Sequence, residues 1–236
     1  MYFLKNFYII YKYKYKYNKI YIYIMIEQDY ILIILNCYKY REKAILQKNT
    51  WLKTLPNNIK YFHIIGDVDK CNGQNFLFDN DESILYVNTK DDYNSLPSKV
   101  IYALDAINST YKYKYIFKTD DDQKLVYNNF FELLTVQLSK SIEVHYGGYI
   151  LNVNDHISNY HTVHDCLPRD LLLKKCTYCN GRFYFLSPLV VSNLIEHKND
   201  ICSHIIEDHA IGLYIDDKYK KNMLFMNSQQ FFKDSI

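Results

Sequence analysis

Glycine is scarce, six in 236 residues. Neither G-x-G-x-x-G nor G-x-x-x-x-G-K-[ST] occurs. The common phosphate loops need glycine for close backbone approach, so a dinucleotide fingerprint and a P-loop are both excluded. Arginine occurs only at Arg41, Arg169 and Arg182, and the formal net charge is +2. No strong field and no arginine cluster exists to engage a phosphate backbone, so no nucleic-acid partner is expected. No run of about 18 apolar residues is present, which excludes a transmembrane helix. Six cysteines occur. Cys176 and Cys179 form a C-x-x-C pair, but no second pair follows at zinc spacing. Tyrosine, by contrast, is abundant, with 26 residues. Together with plentiful Lys, Ile and Asn, this is the bias an AT-rich genome imposes on codons, as in some large DNA viruses. Most tyrosines are therefore background and not stacking platforms. An apolar fraction of 49% suffices for a packed core, and 23% charged residues is ordinary.

Residues 1–26 form a low-complexity tail centred on Tyr11-Lys12-Tyr13-Lys14-Tyr15-Lys16-Tyr17. Its alternation fits an exposed strand, a disordered basic tail, or an extension upstream of a second start at Met25. Charged residues interrupt any apolar core, so it is no secretory signal. Its lysines allow at most peripheral contact with an anionic membrane. Residues 27–236 then read as one domain. Apolar runs at 30–35, 61–65, 84–87 and 113–118 predict buried strands. Residues 41–52, 98–108, 128–138 and 188–197 carry helical spacing. Alternating strands and helices predict an α/β fold, a single Rossmann-like domain with a mostly parallel central sheet. Beyond Gly147-Gly148 shorter strands and loops are expected, until a strand at 182–186.

The chemistry concentrates at Tyr115-Ile116-Phe117-Lys118-Thr119-Asp120-Asp121-Asp122. Three adjacent carboxylates repel unless something positive sits among them. Oxygen ligands at a strand end suit Mg²⁺ or Mn²⁺ shared with phosphate oxygens. A polar turn after a strand explains the same residues equally well.

Six segments in order resemble the beta-1,3-galactosyltransferase-like enzymes, glycosyltransferase family 31, which includes relatives of the Fringe enzymes. Arg41 through Lys48-Asn49-Thr50-Trp51 is similar to that family's basic helix ending in Thr-Trp. Tyr61-Phe62-His63-Ile64-Ile65-Gly66 is similar to its next strand. Asp91-Asp92-Tyr93-Asn94-Ser95-Leu96-Pro97-Ser98-Lys99 resembles its Asp-x-Tyr-x-Asn-Leu-x-x-Lys. Tyr115 to Asp122 matches its carboxylate motif. Tyr178-Cys179-Asn180-Gly181-Arg182-Phe183-Tyr184-Phe185-Leu186-Ser187 resembles its Tyr-Cys-x-Gly block. Glu207-Asp208-His209-Ala210-Ile211-Gly212 resembles its Glu-Asp-Val-x-x-Gly block.

The resemblance implies a GT-A fold and inverting, metal-dependent transfer of a galactose- or N-acetylglucosamine-type hexose. The donor is a UDP-sugar, the acceptor a glycan, glycoprotein or glycolipid hydroxyl, and the product a beta-1,3 linkage. It implies Mn²⁺ or Mg²⁺ on Asp122, with Asp120 and Asp121 on the metal or the ribose, and Asp208 as general base. Lys118, Arg41, Lys48, Gly181 and Glu207 are donor-site candidates. Glu207 is expected to raise the pKa of Asp208 by like-charge repulsion.

Each residue has a plainer reading. Asp208 fits the first turn of a helix, where carboxylates suit the dipole. Arg41 and Lys48 fit a solvated helix face. Gly181 fits a tight turn, and Trp51 a core anchor. His145, His161, His164 and His209 are more often surface or core residues than ligands.

The chain also departs from the family. Arg182 and Phe183 stand where members carry small glycines, so they are expected to fill space near donor and acceptor. His209 replaces the valine, and no later histidine follows it to bind the metal. The family is usually Golgi-membrane-bound, whereas this form reads as cytoplasmic. Two alternatives are an inactive sugar-nucleotide- or glycan-binding relative and another metal-dependent phosphate-transfer enzyme.

The tail lacks the apolar pattern to join the core. Deletion up to Met25 is expected to leave folding intact, and a large fall in melting temperature would show an integral strand instead.

Overall fold

The computed structural model describes residues 7–11, 22–140 and 143–235. The Tyr/Lys tract from 12 to 17 lies outside the described residues. The stretch from Ile22, read above as tail, forms a strand. Strand β1 (Phe7–Tyr11) pairs antiparallel with β2 (Ile22–Glu27).

The apolar run becomes β3 (Tyr30–Leu35), buried at every position. Helix α1 (Arg41–Asn49) follows and stops earlier than expected. Thr50 turns its hydroxyl back onto the Leu46 carbonyl at 2.7 Å, and residues Trp51–Thr54 tighten into a 3-10 turn. Next come β4 (Ile59–Gly66), α2 (Val68–Cys71), and the antiparallel pair β5 (Phe76–Asp79) and β6 (Ile84–Val87). Helix α3 (Leu96–Thr110) opens with Pro97 in its first turn, where a missing N–H is tolerated. It buries Val100, Ala103, Leu104 and Ile107, the stripe its spacing predicts. Strand β7 (Tyr111–Lys112) pairs with β2, and β8 (Tyr115–Asp120) delivers the carboxylates.

After β9 (Gln123–Leu125) come α4 (Phe130–Lys140), β10 (Tyr146–Val153), and the small pair β11 (His156–Ile157) and β12 (Leu172–Leu173). Then follow β13 (Cys176–Leu186), α5 (Pro188–Glu196), α6 (Lys198–Cys202) and α7 (Glu207–Tyr214). The chain continues through β14 (Leu224–Phe225) to β15 (Phe232–Asp234). The short strands and loops expected beyond Gly147 occur as β11 and β12, but they sit within a long antiparallel ribbon, β10 on β13, with a register shift between Gly148 and Ile150. That irregularity and the polar Asn180-Gly181-Arg182 stretch mask the period of two in the sequence.

The central sheet has the order β14-β10-β13-β8-β3-β4-β6-β5. Strands β8, β3, β4 and β6 run parallel, while β13 enters antiparallel beside β8. The sheet is thus parallel at its centre and mixed towards its edges. Alternate residues of β3 feed two cores. Ile31, Ile33 and Leu35 join Phe62, Ile64 and the buried stripe of α3. Tyr30, Leu32 and Ile34 join Trp51, Phe117, Phe131, Phe183 and Phe232. In register, Leu35 of β3 sits beside Asp120 of β8, so the parallel strands end together at one edge. Among the described residues no helix is long and apolar enough to cross a membrane.

Helix α7 is seated against β13 through Gly212. A Cβ there would lie 2.1 Å from Tyr178 Cβ. Gly212→Ala is expected to cost about 1–3 kcal/mol by overpacking. It should also lower activity beyond that loss, because α7 carries Glu207 and Asp208. Urea unfolding and turnover of the same sample measure both, and wild-type values in each would contradict this packing.

Candidate active site

A cavity of about 860 Å³ opens where the parallel strands end. Its wall includes Asp120, Asp121, Asp122, Gly181, Glu207 and Asp208. Residues far apart in the sequence, from Asp120 to Asp208, are therefore brought together, and one ammonium group joins three of their elements. Lys118 leaves β8 with its side chain 2% exposed. Its Nζ lies 2.8 Å from Asp120 Oδ1 and 2.9 Å from Glu207 Oε2, and donates to the Gly181 carbonyl at 2.7 Å. All three donors of the ammonium are used. Burial alone would lower the Lys118 pKa, but the Asp120 and Glu207 charges outweigh it and raise it.

Glu207 is locked at both oxygens. The Tyr184 hydroxyl donates to Oε1 at 2.5 Å, and Lys118 holds Oε2. Lys118 has no donor left over for a ligand and so organises the site, while Glu207 is held in place on the cavity wall. Gly181 sits within a strand, not in a turn. A Cβ on it would come within 3.3 Å of both Asp208 Oδ2 and Lys118 Nζ, so glycine permits the close approach of base candidate and lysine.

Asp208 occupies the first turn of α7 and lines the cavity. Its Oδ2 accepts from the Gly181 N–H and its Oδ1 from the His209 N–H, both at 2.8 Å. Two backbone donors thus fix the carboxylate plane. The Asp208 pKa is raised, and burial is the main cause; Lys118 and the two N–H groups oppose it, and the Asp120 charge adds to it. The expected repulsion from Glu207 is not the leading cause, because Lys118 neutralises that neighbour at 2.9 Å.

The carboxylate turn is held from beneath. Gln47 of α1 donates from Nε2 to the carbonyls of Asp120 and Gln123, at 3.0 and 2.9 Å. Its Oε1 then faces His63 Nε2 at 3.1 Å, so that nitrogen must carry the proton. Burial, then Lys48, lower the His63 pKa to about 3, and the ring stays neutral. Trp51 is the core anchor expected, and its indole N–H donates to the Gln123 carbonyl at 3.2 Å.

Asp121 Oδ2 accepts from Asn36 at 2.6 Å, and Lys43 lies 3.9 Å from Oδ1. Asp122 Oδ1 accepts from Gln123 Nε2 at 2.8 Å. Burial pushes the carboxyl of Asp120 up to about 6, although a third of its side chain still faces the cavity. Burial also pushes Asp121 up to about 6, against Lys43 and Asn36.

Two basic candidates lie elsewhere. Arg41 is exposed and outside the cavity wall. Lys48 bonds the Glu82 carbonyl and lies 3.6 Å from its carboxylate. Lys39 and Lys43 line the cavity instead. The helical rotation of a basic segment, which composition does not encode, decides this. Phe183 does not fill the site either: it is buried in the aromatic core on the opposite face.

Sequence reading also passed over Asp91 and Lys99. The Lys99 ammonium is 1% exposed, lies 2.6 Å from Asp91 and bonds the Asn36 carbonyl at 2.8 Å. Their shared motif was the available signal. Tyr93 stacks on His164 at 4.4 Å, and both line the cavity. His145, His161 and His209 bond to Ser187 Oγ, the Ser158 carbonyl and the Lys174 carbonyl respectively.

Among the described residues no three carboxylate, imidazole or thiol groups converge as a ready-made metal cage. Mg²⁺ and Mn²⁺ do not require one, since they commonly bind one or two carboxylates plus substrate phosphate oxygens. Asp120 and Asp122 both line the cavity and would supply that hard-oxygen donor set. Burial penalises the charge of Asp120 and Asp121 there, a penalty a divalent ion would offset, so the residues fit such an ion.

Residues 40–221 match the sequence profile of the galactosyltransferases. The chain belongs to the galactosyltransferase family. Its architecture is α/β, with a mixed central sheet that is parallel at its middle. No curated protein matches the chain. Solved structures similar in shape include the glycosyltransferase GlyE of Streptococcus pneumoniae, with TM-score 0.42 and 9% identity, covering 86% of this chain and 46% of that one. The galactosyltransferase LgtC, solved with donor and acceptor sugar analogues, has TM-score 0.42 and 10% identity, covering 84% and 74%. A glycosyltransferase involved in glycosylation of the major capsid of PBCV-1 has TM-score 0.42 and 9% identity, covering 84% and 82%. The chain spans about half the length of GlyE. At such identities nothing about substrate passes from those enzymes to this member of the family.

Lys118→Met is expected to cost about 3–5 kcal/mol, because it leaves buried carboxylates without their cation. A pH dependence accompanies the site. Asp120 and Asp121 bind protons more tightly in the folded chain than unfolded, where they titrate near 3.8. Their contribution to stability is therefore lost as pH rises from about 4 through about 6. Mn²⁺ should restore it above pH 6. At a hundredfold excess over Kd the gain is about 2.7 kcal/mol. Melting curves at pH 5 and 7.5 with and without Mn²⁺ check this, and an equal metal effect at both pH values would count against it.

Proposed function

We propose that this galactosyltransferase-family chain is an inverting, metal-dependent glycosyltransferase. It moves a galactose- or N-acetylglucosamine-type hexose from a UDP-sugar to a hydroxyl of a glycan, glycoprotein or glycolipid, forming a beta-1,3 linkage. The observation that carries this reading is the shared cavity: the carboxylate triplet and Asp208 line it together, coupled through Lys118 and Gly181.

In this reading Asp122 and Asp120 hold the divalent ion together with the diphosphate of the donor. When bound there, such an ion would neutralise charge developing on the leaving nucleoside diphosphate as a Lewis acid. Asp121, braced by Asn36 and Lys43, faces the nucleoside side. Asp208 takes the proton of the attacking acceptor hydroxyl. Its raised proton affinity suits a base, and the Gly181 and His209 N–H groups hold its orientation before substrate arrives. Single displacement then delivers the acceptor oxygen opposite the leaving group, which inverts the anomeric carbon.

An inactive relative was the chief alternative, because Arg182 and Phe183 stood to fill the site. Phe183 points into the core, and the Arg182 guanidinium is engaged with Asp234 and the Phe232 carbonyl. A metal-dependent phosphate-transfer enzyme could use the same carboxylates, and the family match, which is to galactosyltransferases, favours sugar transfer over it.

Calorimetry with UDP is expected to show binding that requires Mn²⁺. Asp122→Asn should weaken it, and Asp122→Ala should nearly abolish activity. Asp208→Asn should keep fold and UDP affinity while kcat falls by about 10²–10⁴, with donor KM little changed. Wild-type kcat in Asp208→Asn, with an accepted acceptor present, would remove this mechanism. A panel of UDP-sugars identifies the donor, and the anomeric configuration of the product tests inversion.

A further inference from the structure

Arg182 occupies a position where the family carries a small residue, and its side chain has an unexpected engagement. Part of it lines the cavity, but its guanidinium turns to β15. Nη1 donates to the Phe232 carbonyl at 3.1 Å, and Nη2 pairs with Asp234 Oδ1 at 2.8 Å. Strand β15 runs antiparallel to β9, which begins immediately after the carboxylate triplet. One residue further on, Ser235 donates twice to the Asp122 carbonyl, from its N–H at 2.6 Å and its hydroxyl at 2.9 Å. Gln123 closes the ring, donating from Nε2 to Asp122 Oδ1 at 2.8 Å and to Asp234 Oδ1 at 2.9 Å. Both acceptors are carboxylate oxygens, so the amide nitrogen has to face them.

The root of β15 is anchored separately. Phe232 is fully buried and stacks on Phe183, with ring centroids 5.0 Å apart. Successive residues of β13 thus hold β15 from its two sides, Phe183 in the core and Arg182 at the cavity. The Arg182–Asp234 pair adds little to global stability, since the two side chains are 24% and 69% exposed. What it determines is local: where the Asp122 backbone lies and which way its carboxylate points.

We propose that Arg182 and Asp234 clamp β15 onto the carboxylate turn and so position Asp122 for the divalent ion. Arg182 is a positioning residue of the donor site. This deepens the metal–diphosphate reading above and rests on it. The residues that look like a departure from the family then replace small residues with a brace for the metal-binding turn.

The test compares wild type, Arg182→Ala, Asp234→Ala and the double variant. Calorimetry measures the Mn²⁺ concentration that half-saturates UDP binding. Hydrogen exchange measures amide protection over residues 123–126 in the metal-free protein. Each single variant should raise the Mn²⁺ requirement about tenfold, the typical loss when a ligand's supporting partner is removed. The double variant should be no worse than either single one. Exchange at 123–126 should quicken while the melting temperature stays close to wild type. An unchanged Mn²⁺ requirement, additive losses, or unchanged exchange in Arg182→Ala would overturn the clamp. Wild-type protein that binds UDP equally with and without Mn²⁺ would instead overturn the metal–diphosphate reading, and the role given to the clamp with it.

Discussion

The site depends on one buried ammonium group. Lys118 is placed under the sheet edge, where burial works against its charge, and it stays charged because two carboxylates and a carbonyl surround it. Such an arrangement is weak as a source of net stability but strict about geometry, since losing any one partner strands a charge. It ties three elements at a single point: β8 through Asp120, β13 through Gly181, and α7 through Glu207. Gly181 serves both halves, its carbonyl accepting from the lysine and its N–H donating to Asp208. The metal side and the base side of the cavity are therefore set relative to each other by two backbone groups of one residue.

The rest of the fold supplies rigid backing for that point. Alternation along β3 lets two separate cores grip the parallel strands from opposite faces. On one face, Gln47 and Trp51 reach the carbonyls of the carboxylate turn, and His63 keeps Gln47 oriented. On the other, the missing side chain of Gly212 lets α7 lie close on β13. A further network joins Asp121 to Asn36, whose carbonyl accepts from Lys99, paired in turn with Asp91. Lys118, Lys43 and Lys99 each sit within ion-pair distance of a carboxylate of this site, whereas Asp208 is held by backbone N–H groups.

Much of this was legible in the sequence. The apolar runs at β3, β4, β6 and β8 are buried on both faces, so they read as continuous strands without needing tertiary information. The stripe of α3 was equally clear. The triplet at Asp120–Asp122 stood out as clustered charge that a polar turn would also explain, and the Glu207-Asp208 pair stood out only through its resemblance to the family's late block. The ribbon of β10 and β13 was not legible, because a register shift and polar residues at the cavity break its period. Nor was the fate of the basic residues on α1. Lys48 went to Glu82 while Lys43 approached Asp121, a difference decided by helix rotation and by where α1 ends at Thr50.

By itself, then, the sequence determined the fold class through local burial patterns, and the resemblance of six ordered segments pointed to the family and to Asp120, Asp122 and Asp208 as members of one site. Only the tertiary structure decided what those groups do to one another. Lys118 looked like a donor contact and is a buried organiser. Glu207 looked like the source of the raised pKa of Asp208, yet burial is the main cause. Phe183 and Arg182 looked like obstructions; Phe183 is core, whereas Arg182 still lines the cavity while its guanidinium holds Asp234. These outcomes depend on distances between residues far apart in the chain, and electrostatic and packing energies follow distance in space, not separation in sequence.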